Sequence, residues 1–217
     1  MINTTRSADP PASLAACKQY SGSDVIEALL RDFRGKCYLC ESPISSRDHS
    51  VDHRRSQALF PELKFTWTNL FPACRDCNER RPKPRERYQS ERLLDPTCDD
   101  VEARLLQTLR YDDPQKTELP CFVAQDPADV YAMATAYELN YLHNSGSVKA
   151  AELRDAIRQR VDEVLERLLD FQHHGLDTRG PVRAAWEEPL RADFSRRSPF
   201  TALLRGRLGA GVEHLFD

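Results

Sequence analysis

Apolar side chains recur at spacings of three and four along the second half of the chain. Within residues 147–175, Leu153, Ile157, Val161, Val164, Leu165 and Leu168 form one stripe, which predicts a long amphipathic helix laid against a core. The stretches "DDVEARLLQTLRY" and "PADVYAMATAYELNYL" carry the same spacing and are read as helices, and "SPFTALLRGRLGAGVEHLFD" as a short helix with a tail. Near the start, "SGSDVIEALLRDFRG" puts Val25, Ile26, Leu29, Leu30 and Phe33 on one face. Asp24 and Glu27 make a capping-box pattern there, and Gly35 suits the stop. The first twenty residues, with Pro10 and Pro11, lack this period and read as an extended arm. In the middle of the chain the pattern changes to short strand-like runs around 50–53 and 65–70. Pro72 suits the first turn of a helix carrying Cys74, Cys77 and Asn78. No internal repeat is present.

These elements predict an α+β protein, with a small mixed core embedded in mostly α-helical structure. Three parts follow: an N-terminal arm and helix over 1–35, a core over 36–97, and a helical region over 98–217. The 217 residues are 40% hydrophobic and 30% charged, as expected of a soluble globular chain. No run approaches the roughly 18–20 apolar residues that cross a bilayer, so no membrane is expected. The N-terminus has no apolar core of signal-peptide type, and a cytoplasmic location is expected.

Chemistry enters with the cysteines. Of seven, four form two CxxC pairs, Cys37/Cys40 and Cys74/Cys77. In a reducing compartment paired cysteines are better explained by metal than by disulfides. Each pair can place two thiolates on one zinc ion, and four thiolates close a tetrahedral structural site with no open position. Cys17, Cys98 and Cys121 stand alone and read as plain small side chains.

The gap between the pairs is longer than the roughly 15–20 residues of a plain zinc ribbon, and it contains Asp52, His53 and Asn69. Hydrolysis of a phosphodiester needs a base for water and positive charge against the developing oxyanion. His53 can be the base. Asp52 and the carbonyl oxygen of Asn78, held beside the zinc ligand Cys77, are hard donors suited to Mg²⁺ or Mn²⁺. Asn69 can bond loop backbone in both senses and so orient His53.

The pattern "CYLC…DH…WTNL…C..CN" resembles the HNH nuclease motif in its zinc-stabilised ββα-metal (His-Me finger) form. The resemblance implies His53 as general base, Asn69 as the middle asparagine and Asn78 at the third position, with a catalytic divalent metal on Asp52 and Asn78. The match continues through "PELKFTWTNLFPACRDCNERRPK", "LLDP", "YELNYLHN" and "SPFTALL". These are similar to the HNH nucleases that accompany ATPases in bacterial anti-phage systems of the Septu type and related retron operons. Such a likeness implies an endonuclease acting in antiviral defence with an SMC- or ABC-like ATPase partner.

Charge adds a location for the substrate. The net charge is −3, yet residues 53–92 carry ten Lys/Arg against five Asp/Glu, while residues 93–217 carry 15 against 22. A locally basic module suits a polyanion on one face. Arg54, Arg55, Arg80, Arg81 and Lys83 are the candidate phosphate contacts. DNA is the default substrate, with structured RNA such as tRNA open. The alternative is a zinc-stapled nucleic-acid-binding or ATPase-docking adaptor without catalysis. The remaining histidines (His49, His143, His173, His174 and His214) read as surface or structural groups, and Asp95 as a turn acid before Pro96.

Overall fold

A computed structural model describes residues 1–16, 19–45, 48–86 and 91–217; Cys17 and Arg87 lie outside the described residues. The chain divides into two units, one of residues 1–106 with 122–142 and the other of residues 107–121 with 143–217.

In the first unit, a short helix α1 (Ala12–Ala15) precedes α2 (Ser23–Asp32), which buries Val25, Ala28 and Leu29. The capping box does not form. Gly22 occupies the N-cap, and the Asp24 carboxylate instead accepts bonds from the Ser13 backbone and hydroxyl, tying α1 to α2. Gly35 ends the segment with φ +71°, a left-handed conformation that glycine adopts without strain. The arm is packed: Met1 and Ile2 are buried, and the Arg6 guanidinium lies over the Phe33, Trp67 and Phe71 rings. Burial pulls the Arg6 pKa down to about 10.

Strands β1 (His49–His53) and β2 (Leu70–Cys74) pair antiparallel, with His53 opposite Leu70 and His49 opposite Cys74. Helix α3 (Arg75–Arg80) follows β2 directly. This corrects the expectation for Pro72, which sits in β2 opposite Val51 rather than in a helix. In a two-stranded ladder the missing N–H costs nothing on the open edge, and the Pro72 carbonyl accepts a bond from the Tyr38 N–H. The helix starts later because the Cys74 sulfur caps it, accepting from the Cys77 N–H.

Helix α4 (Val101–Arg104) is a single turn, and β3 (Leu105–Asp112) pairs with β4 (Thr117–Ala124). The expected helix over "DDVEARLLQTLRY" therefore stops after one turn. Leu105, Gln107 and Leu109 alternate inward, so the period is two. The first 13 positions of helix α5 (Val130–Asn144), through Leu142, belong to the first unit. There Thr135 accepts from the Leu94 N–H, and Asn140 bonds both the N–H and the C=O of Phe122.

In the second unit, α6 (Val148–Asp170) is capped by Ser147 and buries Leu153, Ile157, Val161, Val164 and Leu168 of the expected stripe, leaving Leu165 half-buried. Helix α7 (Gly180–Phe194) supplies Asp193, which is buried between Arg160 and Arg167 of α6. Helix α8 (Thr201–Leu208) follows. Its Gly206 lies so close to the strand that a Cβ would come within 1.9 Å of the Gln107 carbonyl oxygen. Among the described residues no helix is long and apolar enough to cross a membrane.

Candidate active site

The two CxxC pairs converge. The sulfurs of Cys37, Cys40, Cys74 and Cys77 all lie within 4.8 Å of one another and all four residues are buried. Cys40 and Cys74 sulfurs are 3.9 Å apart. That is far beyond a disulfide bond and close to the edge of a tetrahedron with zinc–sulfur distances of about 2.3 Å, roughly 3.8 Å. The first pair sits on a knuckle in which Glu41 takes φ 59° and donates its N–H to the Cys37 carbonyl. Hydrogen bonding to Cys37, Cys74 and Cys77 pulls the Cys40 thiol well below its ordinary value, while burial pushes Cys37 well above its own. The donor set and spacing fit one structural zinc ion.

The same β1–β2–α3 frame carries the oxygen and nitrogen groups. Asp52 and His53 end β1, and Asn78 lies in α3 one residue after Cys77. All three line one cleft of about 780 Å³, together with Tyr20, His49, Ser50, Glu79, Arg81 and Lys83 among others. Asp52 is buried, and both of its side-chain hydrogen bonds, from the Tyr38 hydroxyl and from Arg81 Nη1 at 2.7 Å, land on Oδ2. Among the described residues Oδ1 takes none. The Asn78 amide donates to the Ser50 hydroxyl at 2.6 Å, which leaves its carbonyl oxygen for another partner.

His53 is held from two sides. Its Nε2 lies 3.0 Å from the Lys64 carbonyl oxygen, and its ring meets Tyr20 edge-on with centroids 4.8 Å apart. A carbonyl can only accept, so Nε2 carries the proton and Nδ1 keeps its lone pair. Burial lowers the His53 pKa, against opposing pulls from the Lys64 carbonyl and Asp52, and favours the neutral ring.

Asn69 is buried at the far end of the loop. Its Oδ1 accepts from the Arg55 N–H at 2.8 Å, and its Nδ2 donates to the Arg55 carbonyl at 3.0 Å and the Leu63 carbonyl at 3.3 Å. The loop between these contacts contains Lys64, whose carbonyl holds His53. Replacing Asn69 with alanine strands the Arg55 N–H and carbonyl and leaves the Leu63 carbonyl only its Thr66 bond, so a loss of about 1–3 kcal/mol is expected. Urea unfolding measures that loss, and cleavage should weaken because the His53 partner is no longer fixed.

The basic residues separate into two classes. Arg81 is not a surface cation: it is buried, with Nη1 on Asp52 and Nε on Glu138. Arg80 is taken by Asp76 and the Leu142 carbonyl, and Arg54 by the Leu93 carbonyl and Asp95. All three are thus engaged with internal partners. Lys83 lines the cleft and has no ion pair among the described residues. Arg55 keeps a buried Nε without a partner among the described residues. Asp95 also gains a role beyond its turn, pairing with Arg54 at 3.6 Å while accepting from the Thr97 N–H and hydroxyl. Cys98 and Cys121 are free thiols, the first exposed and the second half-buried.

Tyr38, Ser50, Tyr20 and Glu138 were not singled out by sequence reasoning. Tyr38 carried one available signal, its place between the first two paired cysteines. Glu138 carried none, because its partner Arg81 is 57 residues away along the chain.

Comparison with known proteins gives a consistent answer. The HNH endonuclease family profile matches residues 37–83, from the first cysteine pair through Lys83. The Septu protein PtuB of Bacillus thuringiensis is 32% identical over 74 residues, which cover 33% of this chain and 28% of that protein. The likeness thus spans less than a third of the curated relative's length.

Proposed function

From a chain whose residues 37–83 form an HNH endonuclease domain, we propose a metal-dependent endonuclease that hydrolyses phosphodiester bonds of nucleic acid, DNA first. One observation carries this reading: His53, Asp52 and Asn78 reach one cleft with their functional atoms uncommitted. His53 Nδ1 accepts a proton from water while the Lys64 carbonyl keeps the ring in place. Asp52 Oδ1 and the Asn78 carbonyl oxygen are an oxygen-only donor set that would hold magnesium or manganese and leave positions for water and phosphate. Such an ion, when bound, supplies positive charge against the phosphoryl and departing oxygens. Lys83, at the cleft wall, draws the phosphate backbone toward the base. The zinc bound by Cys37, Cys40, Cys74 and Cys77 serves as a staple rather than a reactant.

The likeness to PtuB supports a setting in anti-phage defence, with an SMC- or ABC-like ATPase as partner. Co-purification of such an ATPase with the tagged chain, followed by a mass measurement of the complex, tests that setting.

Purified protein incubated with supercoiled plasmid, and in parallel with tRNA, tests the chemistry. Nicking of plasmid in Mg²⁺ that stops with chelator is the expected result. Cleavage confined to tRNA would move the substrate to RNA. Salt-sensitive binding without product, at any metal concentration, would replace the enzyme by an adaptor.

A further inference from the structure

The Arg81 guanidinium joins the candidate cation site to a helix outside the segment that the HNH profile matches. Arg81 follows α3 directly, and its side chain turns back under β1. Nη1 donates to Asp52 Oδ2 at 2.7 Å and to the His53 carbonyl at 3.3 Å, and Nη2 donates to the Arg54 carbonyl at 2.9 Å. The fourth contact leaves the motif: Nε donates to Glu138 Oε1 on α5. Residues 130–142 of α5 belong to the same unit as the cleft.

The charges make this arrangement informative. Asp52 paired with Arg81 alone is close to neutral, and a neutral pair attracts a divalent cation weakly. Glu138 is the second carboxylate on the one guanidinium, so with both carboxylates ionised the three side chains together carry a net negative charge. It also fixes the guanidinium plane, so that Oδ2 of Asp52 is the bonded oxygen and Oδ1 is left without a hydrogen-bond partner among the described residues. Arginine suits this position because its planar fork serves four acceptors at once, which an ammonium group cannot do.

We propose that Glu138, acting through Arg81, is a positioning residue of the cation site, setting both the charge and the direction of the Asp52 ligand. This rests on the reading of Asp52 as a ligand given above. Outer partners of this kind commonly change metal affinity about tenfold or more when they are altered.

The test is titration of the zinc-loaded full chain with Mn²⁺, followed by calorimetry and by the electron-spin signal of free Mn²⁺. Glu138→Gln keeps the shape and the acceptor for Arg81 Nε and removes only the charge. It is expected to weaken Mn²⁺ binding about tenfold, with near-ultraviolet circular dichroism and thermal midpoint close to those of the unaltered chain. In plasmid cleavage the Mn²⁺ concentration for half-maximal rate should rise by the same factor, a shift that a purely structural role would not produce. Asp52→Asn serves as the reference and should weaken binding more. If Asp52→Asn weakens Mn²⁺ binding while Glu138→Gln binds as tightly as the unaltered chain, the role of Glu138 is overturned and the cation site stands. If Asp52→Asn leaves binding unchanged, the site itself is overturned, and the role of Glu138 with it.

Discussion

Replacing His53 with alanine is expected to lower phosphodiester cleavage by about 10²–10⁴-fold, the usual contribution of one positioned base. The physical ground is the isolation of its Nδ1. The Lys64 carbonyl takes the other ring nitrogen, and Tyr20 stands edge-on to the ring. Removing the ring deletes one bond to a loop carbonyl and leaves both β1 pairing and the cysteine cluster untouched. Zinc content and the cooperative fold should therefore be retained, with the thermal midpoint lowered by the lost Tyr20 contact and the unpaired Lys64 carbonyl. Plasmid nicking in Mg²⁺ at undiminished rate by a His53→Ala preparation free of other nucleases would remove His53 from the mechanism.

Cys77→Ser should have a larger and different effect. Structural zinc in small modules contributes about 10–16 kcal/mol of apparent binding free energy, which is also folding free energy. The segment it would stabilise here is small: two five-residue strands and a six-residue helix. Such a segment cannot hold itself together by burial alone. Loss of zinc by metal analysis, loss of the cooperative unfolding transition of the first unit, and loss of cleavage are expected together. A Cys77→Ser chain that lacks zinc yet unfolds with unaltered cooperativity would show that the cysteines do not staple this frame. Chelators offer a gentler version of the same contrast. Removal of the cation from Asp52 and Asn78 should be reversed at once by added Mg²⁺, whereas stripped zinc should require refolding.

The grouping of the candidate site's residues was legible in the sequence, and the fold around them in part. The paired cysteine spacing, the Asp52–His53 dipeptide and Asn69 each announce chemistry through residue type and distance along the chain. The structure brings the four cysteines into one cluster, and Asp52, His53 and Asn78 into one cleft. The α+β character and the long stripe of α6 could be read from periodicity. The β3–β4 hairpin could not, because Leu105 and Leu109 are four apart and satisfy both a helical and an alternating period. What decides for strand is the pairing with 117–124, a tertiary fact. Pro72 misled for a related reason, since proline is equally at home at a helix start and on the open edge of a two-stranded ladder. Only Arg80, four residues after Asp76, carried a mark in the sequence that separates an internal tie from a phosphate contact. Arg54 and Arg81 looked like Lys83 until their partners Asp95 and Glu138 were located. Charge counts describe a region's field but not which side chains remain free to meet a ligand.

Because Cys37, Cys40, Asp52 and His53 leave the ribosome before Cys74, Cys77 and Asn78, a half-made chain holds the imidazole without the second cysteine pair and without the Asn78 oxygen. On the proposed reading, Glu138 emerges later still. A chain that ends before residue 74 lacks the second cysteine pair and the Asn78 oxygen together, and on the same reading is expected not to cleave.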